Sequence, residues 1–121
     1  MFIEIKTEKW QEAIDITSRV QEAIKGESGK ACFIFCPHTT AGLMINEPDA
    51  VSDVLDAVDE IEPKLDYTHK SNAQAHVKSG LAGVSLLIPM KQGKLELGNW
   101  QKIFFLEFDG PRDRKVQISI L

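Results

Sequence analysis

The sequence predicts an α+β fold: a mixed, mostly antiparallel β-sheet or sandwich-like core carrying two to three helices, in a single domain over residues 1–121. Three observations lead there. Strand-like patterns crowd both ends of the chain, helical spacing is confined to the middle, and no β-α-β-α alternation of the parallel-sheet kind is present. A chain of 121 residues suffices for one compact domain and is too short for two.

Residues 2–7 alternate apolar and polar (Phe2, Ile3, Ile5 against Glu4, Lys6), a weak strand pattern. Asp15, Thr17 or Ser18 can cap a helix in which Val20, Ala23 and Ile24 fall at helical spacing, and Gly26, Ser28 and Gly29 close it. Lys30 to Cys36 is apolar on both faces and therefore belongs inside a sheet. Pro37 cannot donate to a ladder and borders that strand. Ala41 to Ile45 is a second apolar run. Pro48 suits a first helical turn, after which Val51, Val54, Leu55, Val58 and Ile61 form an apolar stripe opposite Asp53, Asp56, Asp59, Glu60 and Glu62, an acidic face that reads as solvated. Pro63 is expected to stop this helix, and Lys64 to Lys70 reads as irregular. Ser71 or Asn72 then caps a helix over about 72–82, packing through Ala73, Ala75, Val77, Leu81 and Ala82. Val84 to Met90 is a strand, Gln92-Gly93-Lys94 turns it, and Leu95 to Leu97 pairs back as a hairpin. Trp100 to Phe108 is a long apolar strand, with Trp100 read as core rather than as a stacking platform. Asp109-Gly110-Pro111-Arg112 is a turn, and Lys115 to Leu121 alternates as the last strand.

Composition narrows the function. Apolar residues make up 43% and charged residues 26%, with net charge -4 and pI near 5.3. An acidic chain of this kind lacks the basic face that nucleic acid requires. No apolar run approaches the roughly 20 residues of a membrane helix, and Met1 to Lys6 lacks a basic segment followed by an apolar one, so the expectation is a cytoplasmic protein without membrane or nucleic-acid partners. Cys32 and Cys36, four residues apart on one strand, stand about 13 Å from each other, beyond disulfide reach. They read as buried thiols, with a Cys36–His38 nucleophile pair as the sharper alternative.

The densest chemistry lies in Cys36-Pro37-His38-Thr39-Thr40-Ala41-Gly42-Leu43-Met44-Ile45-Asn46-Glu47, where an apolar strand gives way to an imidazole, two hydroxyls, an amide and a carboxylate. The chain has three histidines: His38, His69 and His76. Asn72, His76 and Ser79 share one helical face. If His38 and His69 meet His76 there, three nitrogens with an open fourth position match a catalytic zinc site, and neutral imidazole also serves as a general base near pH 7. The plainer reading is three separate hydrogen-bonding histidines. Asn46 and Glu47 either cap the following helix or lend a carboxylate to metal or acid/base work. Thr39 and Thr40 are either β-formers or phosphate and water ligands. Arg112 reads as a turn salt bridge to Glu107 or Asp109, or as an anion clamp with Arg114 beside it. No GxxxxGK[ST] loop, GxGxxG or Gly-x-Ser-x-Gly elbow is present, which removes ATPase, dinucleotide and α/β-hydrolase readings.

Taken together, His38-Thr39-Thr40-Ala41, Asn46-Glu47, Asn72-Ala73-Gln74-Ala75-His76, Gly98-Asn99-Trp100-Gln101 and Asp109-Gly110-Pro111-Arg112-Asp113-Arg114 resemble the serial motifs of the YjbQ family, also called the secondary thiamine-phosphate synthase family. Asn99, where Thr is expected, is the one small departure. The resemblance runs from about residue 3 to the C-terminus. It implies an α+β fold with a sandwich-like core assembled as a homotrimer. It also implies that His38, His69 and His76 gather in one site around a divalent metal, zinc or magnesium. Catalytic roles would then fall to His38, Glu47 and Arg112, with Thr39, Thr40, Asn46, Asn72 and Arg114 binding substrate. The implied activity is that of a small enzyme acting on a phosphorylated small molecule, with thiamine phosphate synthesis as a side activity. The alternative is a non-catalytic trimeric metal- or metabolite-binding protein.

Overall fold

The computed structural model describes residues 1–62, 65–69 and 71–121. Pro63, the expected helix stop, lies outside the described residues, as do Lys64 and Lys70. In chain order the elements are β1 (Phe2–Lys6), β2 (Glu12–Asp15), α1 (Thr17–Ala23), β3 (Ala31–Phe35), β4 (Ala41–Asn46), a 3-10 turn (Pro48–Ala50) running into α2 (Val51–Ile61), α3 (Ala73–Ala82), β5 (Ser85–Lys91), β6 (Lys94–Leu95), β7 (Lys102–Glu107) and β8 (Asp113–Ile120). The strands form two sheets, ordered β1-β8-β3-β5-β6 and β2-β7-β4, and every pairing is antiparallel. The α+β class and the sandwich-like core are therefore as expected, and β3 takes the interior position its two-sided apolarity requires.

Strand alternation organises the layers. Along β7, Ile103 and Phe105 point into a core shared with Ile3 and Ile5 of β1, Cys32 and Ile34 of β3, and Val116 and Ile118 of β8. Phe104 and Leu106, with Phe108 just beyond β7, face the other way into a second cluster with Val51 and Ala75 of the α2 and α3 layer. The molecule is thus sheet on sheet on helices, with α1 filling one side of the inner core through Val20. The remaining face of the five-stranded sheet carries Phe2, Phe33, Phe35 and Leu87, the Phe33 and Phe35 rings being stacked 6.3 Å apart. No described helix is long and apolar enough to cross a membrane.

Several local expectations change. β2 was not anticipated: it is a four-residue edge strand with acidic ends, recruited by pairing with β7 rather than by its own pattern. Trp100 is not core but 73% exposed, because Gly98 N–H donates to the Gln101 side chain at 2.8 Å and Gln101 N–H to the Gly98 carbonyl, forming a turn before β7. Ile61, at the end of the α2 stripe, is exposed. On α3, Leu81 is exposed and the buried face is Ala75, Lys78 and Ser79. That face is small because α3 lies close on β4. Ser79 Oγ donates to the Ala41 carbonyl at 2.6 Å, and a Cβ on Gly42 would stand 2.7 Å from the Gly83 carbonyl oxygen. Neither Asn46 nor Asn72 caps a helix through its side chain. Asn46 Oδ1 accepts the Glu47 N–H at 2.8 Å, and Asn72 is engaged elsewhere.

Candidate functional site

The site is built at one end of the sandwich, where β1, β7 and β8 converge with the loops that follow them. The inward alternation of β7 that places Ile103 and Phe105 in the core places Glu107 there too. The alternation of β8 that buries Val116 and Ile118 also buries Arg114. Two charges therefore meet between the sheets. Arg114 donates through Nε to Glu107 Oε2 at 2.8 Å and through Nη2 to Oε1 at 2.5 Å, in a bidentate pair. Thr7 Oγ1 donates to Oε2 at 2.8 Å and the Asp109 N–H to Oε1 at 2.9 Å, while Thr40 Oγ1 accepts Arg114 Nη2 at 2.9 Å. Burial alone would raise the Glu107 carboxyl, but the hydrogen bonds from Arg114, Asp109 N–H and Thr7 outweigh it and hold the group below the usual carboxylate range. Arg114 and Thr40, two of the expected substrate ligands, are engaged in this buried pin.

Directly after β7, Asp109 turns toward the helical layer. Its Oδ2 accepts Asn72 Nδ2 at 2.9 Å and Arg112 Nη2 at 2.9 Å, and Arg112 Nε donates to the Asp109 carbonyl at 2.7 Å. The Asn72 hydrogen bond, followed by Arg112, holds the Asp109 carboxyl below its ordinary value. Of the two arginines, Arg112 makes the turn pair, with Asp109, and its side chain is half exposed. Asp109 and Asn72 line a cavity of about 340 Å³ whose other walls include Trp10, Tyr67, Asp66 and His69. His69 and His76 bring their ring centroids to 4.8 Å.

His38 lies elsewhere in the same chain. The β3–β8 register, which pairs Phe35 with Gln117, would set residue 37 opposite Lys115. Pro37 has no N–H to offer, and the His38 ring takes over the ladder: Nε2 stands 3.0 Å from the Lys115 amide and 3.1 Å from its carbonyl. Burial, then the nearby Arg114 charge, pushes this imidazole below its ordinary value, as suits a ring accepting an amide N–H. It borders a separate depression of about 600 Å³ with Glu4, Lys6, Asp113 and Lys115. Asn46 and Glu47 stand at the far end of β4, five residues or about 17 Å along the strand from Ala41. Thr39 is exposed beside His38.

One chain thus brings together His69, His76, Asn72 and Arg112 but not His38, Asn46, Glu47 or Thr39. Among the described residues no group of three or more His, Cys, Asp or Glu side chains is placed to hold a metal. Within a single copy His38 engages the Lys115 main chain through Nε2 and borders a different depression from the cavity that His69 lines. Cys36 is no nucleophile here: it is buried in the core, and desolvation raises its thiol, as it pushes Cys32 up to about 11. Sequence reasoning did not single out Trp10 or Tyr67. The available signal was a lone large aromatic in the polar stretch Thr7-Glu8-Lys9-Trp10-Gln11.

Comparison with known proteins agrees with this architecture. A crystal structure from Clostridium acetobutylicum, described as an uncharacterised conserved protein of the yjbq/upf0047 family, superposes with a TM-score of 0.91. It is 46% identical and covers 100% of this chain and 99% of its own. A hypothetical protein from Aeropyrum pernix K1 gives a TM-score of 0.90 at 34% identity, over 100% of this chain and 96% of its own. UPF0047 protein YugU of Bacillus subtilis is 43% identical, over 98% of this chain and 96% of its own length. The family model described as UPF0047 protein YjbQ-like matches residues 1–121, and the chain belongs to that family.

Proposed function

We propose that this protein is a small cytosolic enzyme acting on a phosphorylated small molecule in the cavity between Trp10 and the start of α3. The observation that carries the reading is that one cavity is lined by His69, Asn72 and Asp109, with the His76 ring 4.8 Å from that of His69 and Arg112 hydrogen-bonded to Asp109. Imidazole moves protons near pH 7. Arg112, anchored by Asp109 yet half exposed, is the cation available to a phosphate group. The finer form of the proposal is a thiamine phosphate synthase-like transfer as a side activity, in which a pyrimidine diphosphate joins a thiazole phosphate and pyrophosphate leaves. Arg112 would stabilise the departing charge.

His38, with Thr39, and Glu47, with Asn46, enter this reading only from a neighbouring copy, in a homotrimer. The outward apolar row of Phe2, Phe33, Phe35 and Leu87 supports such an assembly. A divalent metal, zinc or magnesium, would likewise need donors from another copy beside His69 and His76.

The test is pyrophosphate release with both substrates present, in wild type, His76→Ala and Arg112→Ala, alongside zinc titration of the metal-free protein and its His38→Ala and His69→Ala variants. Release should require both substrates and fall at least tenfold in each of the first two variants. Equal release in all three proteins would overturn the assignment. Zinc binding unchanged in both titrated variants would remove His38 and His69 as ligands, and no binding to the wild type would remove the metal.

A further inference from the structure

We propose that Trp10 is a recognition residue, and that the molecule accepted by this cavity carries a flat heteroaromatic ring with an N–H on its edge. The inference rests on the preceding reading of the cavity as the functional site. An indole 56% open to solvent, in a polar loop, would ordinarily be a mobile surface group. Trp10 is held both at its main chain and at its ring. Its carbonyl accepts the Gly110 N–H at 3.0 Å, and the Lys78 ammonium sits 4.9 Å from its ring centroid. Lys78 is itself buried and fixed, with Nζ 2.7 Å from Asp59 and 3.0 Å from the Gln11 side-chain oxygen. A large aromatic held this firmly while lining a cavity is a preformed stacking wall.

The edge requirement comes from Asp109. Both hydrogen bonds to its carboxylate, from Asn72 and Arg112, fall on Oδ2. Among the described residues none reaches Oδ1, although the side chain is only 20% exposed and the carboxyl is held ionised. An acceptor in that state calls for an N–H donor from the ligand. A cavity of about 340 Å³ takes one ring with a substituent. The chain's net charge of -4 favours a free small molecule over a nucleic-acid strand.

The chain has two tryptophans, so a Trp100→Phe protein leaves Trp10 as the sole indole. Its emission is followed during titration with uracil and with 5,6-dihydrouracil, which share a polar edge but differ in aromaticity. Uracil should quench saturably and bind about tenfold more tightly than its puckered counterpart, within the range that base–aromatic stacking supplies. By calorimetry, Trp10→Leu should abolish that preference. Asp109→Asn should weaken both probes about tenfold, with melting curves confirming that each variant folds. Equal binding of the two probes through Asp109 would overturn stacking while leaving the cavity as the site. A uracil preference indifferent to Asp109→Asn would overturn edge recognition. No binding of either probe would overturn the whole proposal, and pyrophosphate release would still report separately on the function.

Discussion

Replacing Glu107 with Gln removes one charge and changes almost no volume, and it should be among the most damaging single changes available to this chain. Glu107 is fully buried and accepts four hydrogen bonds, two of them from Arg114, whose side chain is only 5% exposed. The substitution leaves the guanidinium buried without a counter-charge and turns an amide NH₂ toward partners that are themselves donors. Breaking a buried pair from one side costs about 3–5 kcal/mol, a large part of the roughly 5–15 kcal/mol that holds a domain together. With an unfolding entropy near 0.25 kcal/mol per degree for a chain of this length, the melting temperature should fall by about 12–20 °C. The double variant Glu107→Leu/Arg114→Met should recover most of that loss, because the desolvation cost disappears together with the attraction. Calorimetric melting of the three proteins at pH 7 is the assay. A drop of only a few degrees in Glu107→Gln, or a double variant as unstable as the single, would show that the pair does not pin the two sheets together.

The same pair sets the acid limit. Because the folded-state Glu107 carboxyl lies below its ordinary 4.5, its contribution to stability is present above about that pH and is lost as the pH falls through the folded value. Denaturant unfolding of the double variant should therefore depend less on pH below 4.5 than that of wild type. His38→Ala should cost about 1 kcal/mol and speed hydrogen exchange at the Lys115 amide, whose partner it removes; unchanged exchange there would refute the ladder role. In wild type, the His38 ring should titrate by NMR with a midpoint below 6.5. Gly42→Ala should destabilise by about 1–3 kcal/mol, since the new methyl meets the Gly83 carbonyl at 2.7 Å and must push α3 off β4; wild-type stability would show the contact to be compliant.

What could be read from the chain beforehand follows how local each signal is. β3 and β8 were legible because their apolar patterns are self-contained, and α2 because its stripe repeats over three turns. β2 was not, since only its pairing with β7 makes Glu12 to Asp15 a strand. The α3 face was misjudged because close approach selects small and polar residues, Ala75, Lys78 and Ser79, over the larger Leu81. At the site, Asn72, His69 and His76 come from neighbouring sequence and meet as chain proximity suggests. The Glu107–Arg114 pair and the role of Trp10 depend on which strand faces which across the sandwich, and no spacing within a single segment encodes that. His38 shows the converse. Its chemistry is conspicuous in the sequence, but the proline before it commits the ring to completing a ladder.

Gly110 carries a consequence for anyone redesigning this molecule. A Cβ there would collide with the Lys9 carbonyl oxygen, so the bare Cα is what lets the loop bearing Trp10 lie against the turn bearing Asp109. Those two segments are about a hundred residues apart in sequence, yet they behave as one mechanical part. Neither can be lengthened, grafted or swapped without dislodging the other. Insertions meant to spare the cavity are better placed at Gln92-Gly93, at the tip of the β5–β6 hairpin. There the backbone already takes left-handed conformations, and added residues would extend away from that coupled pair.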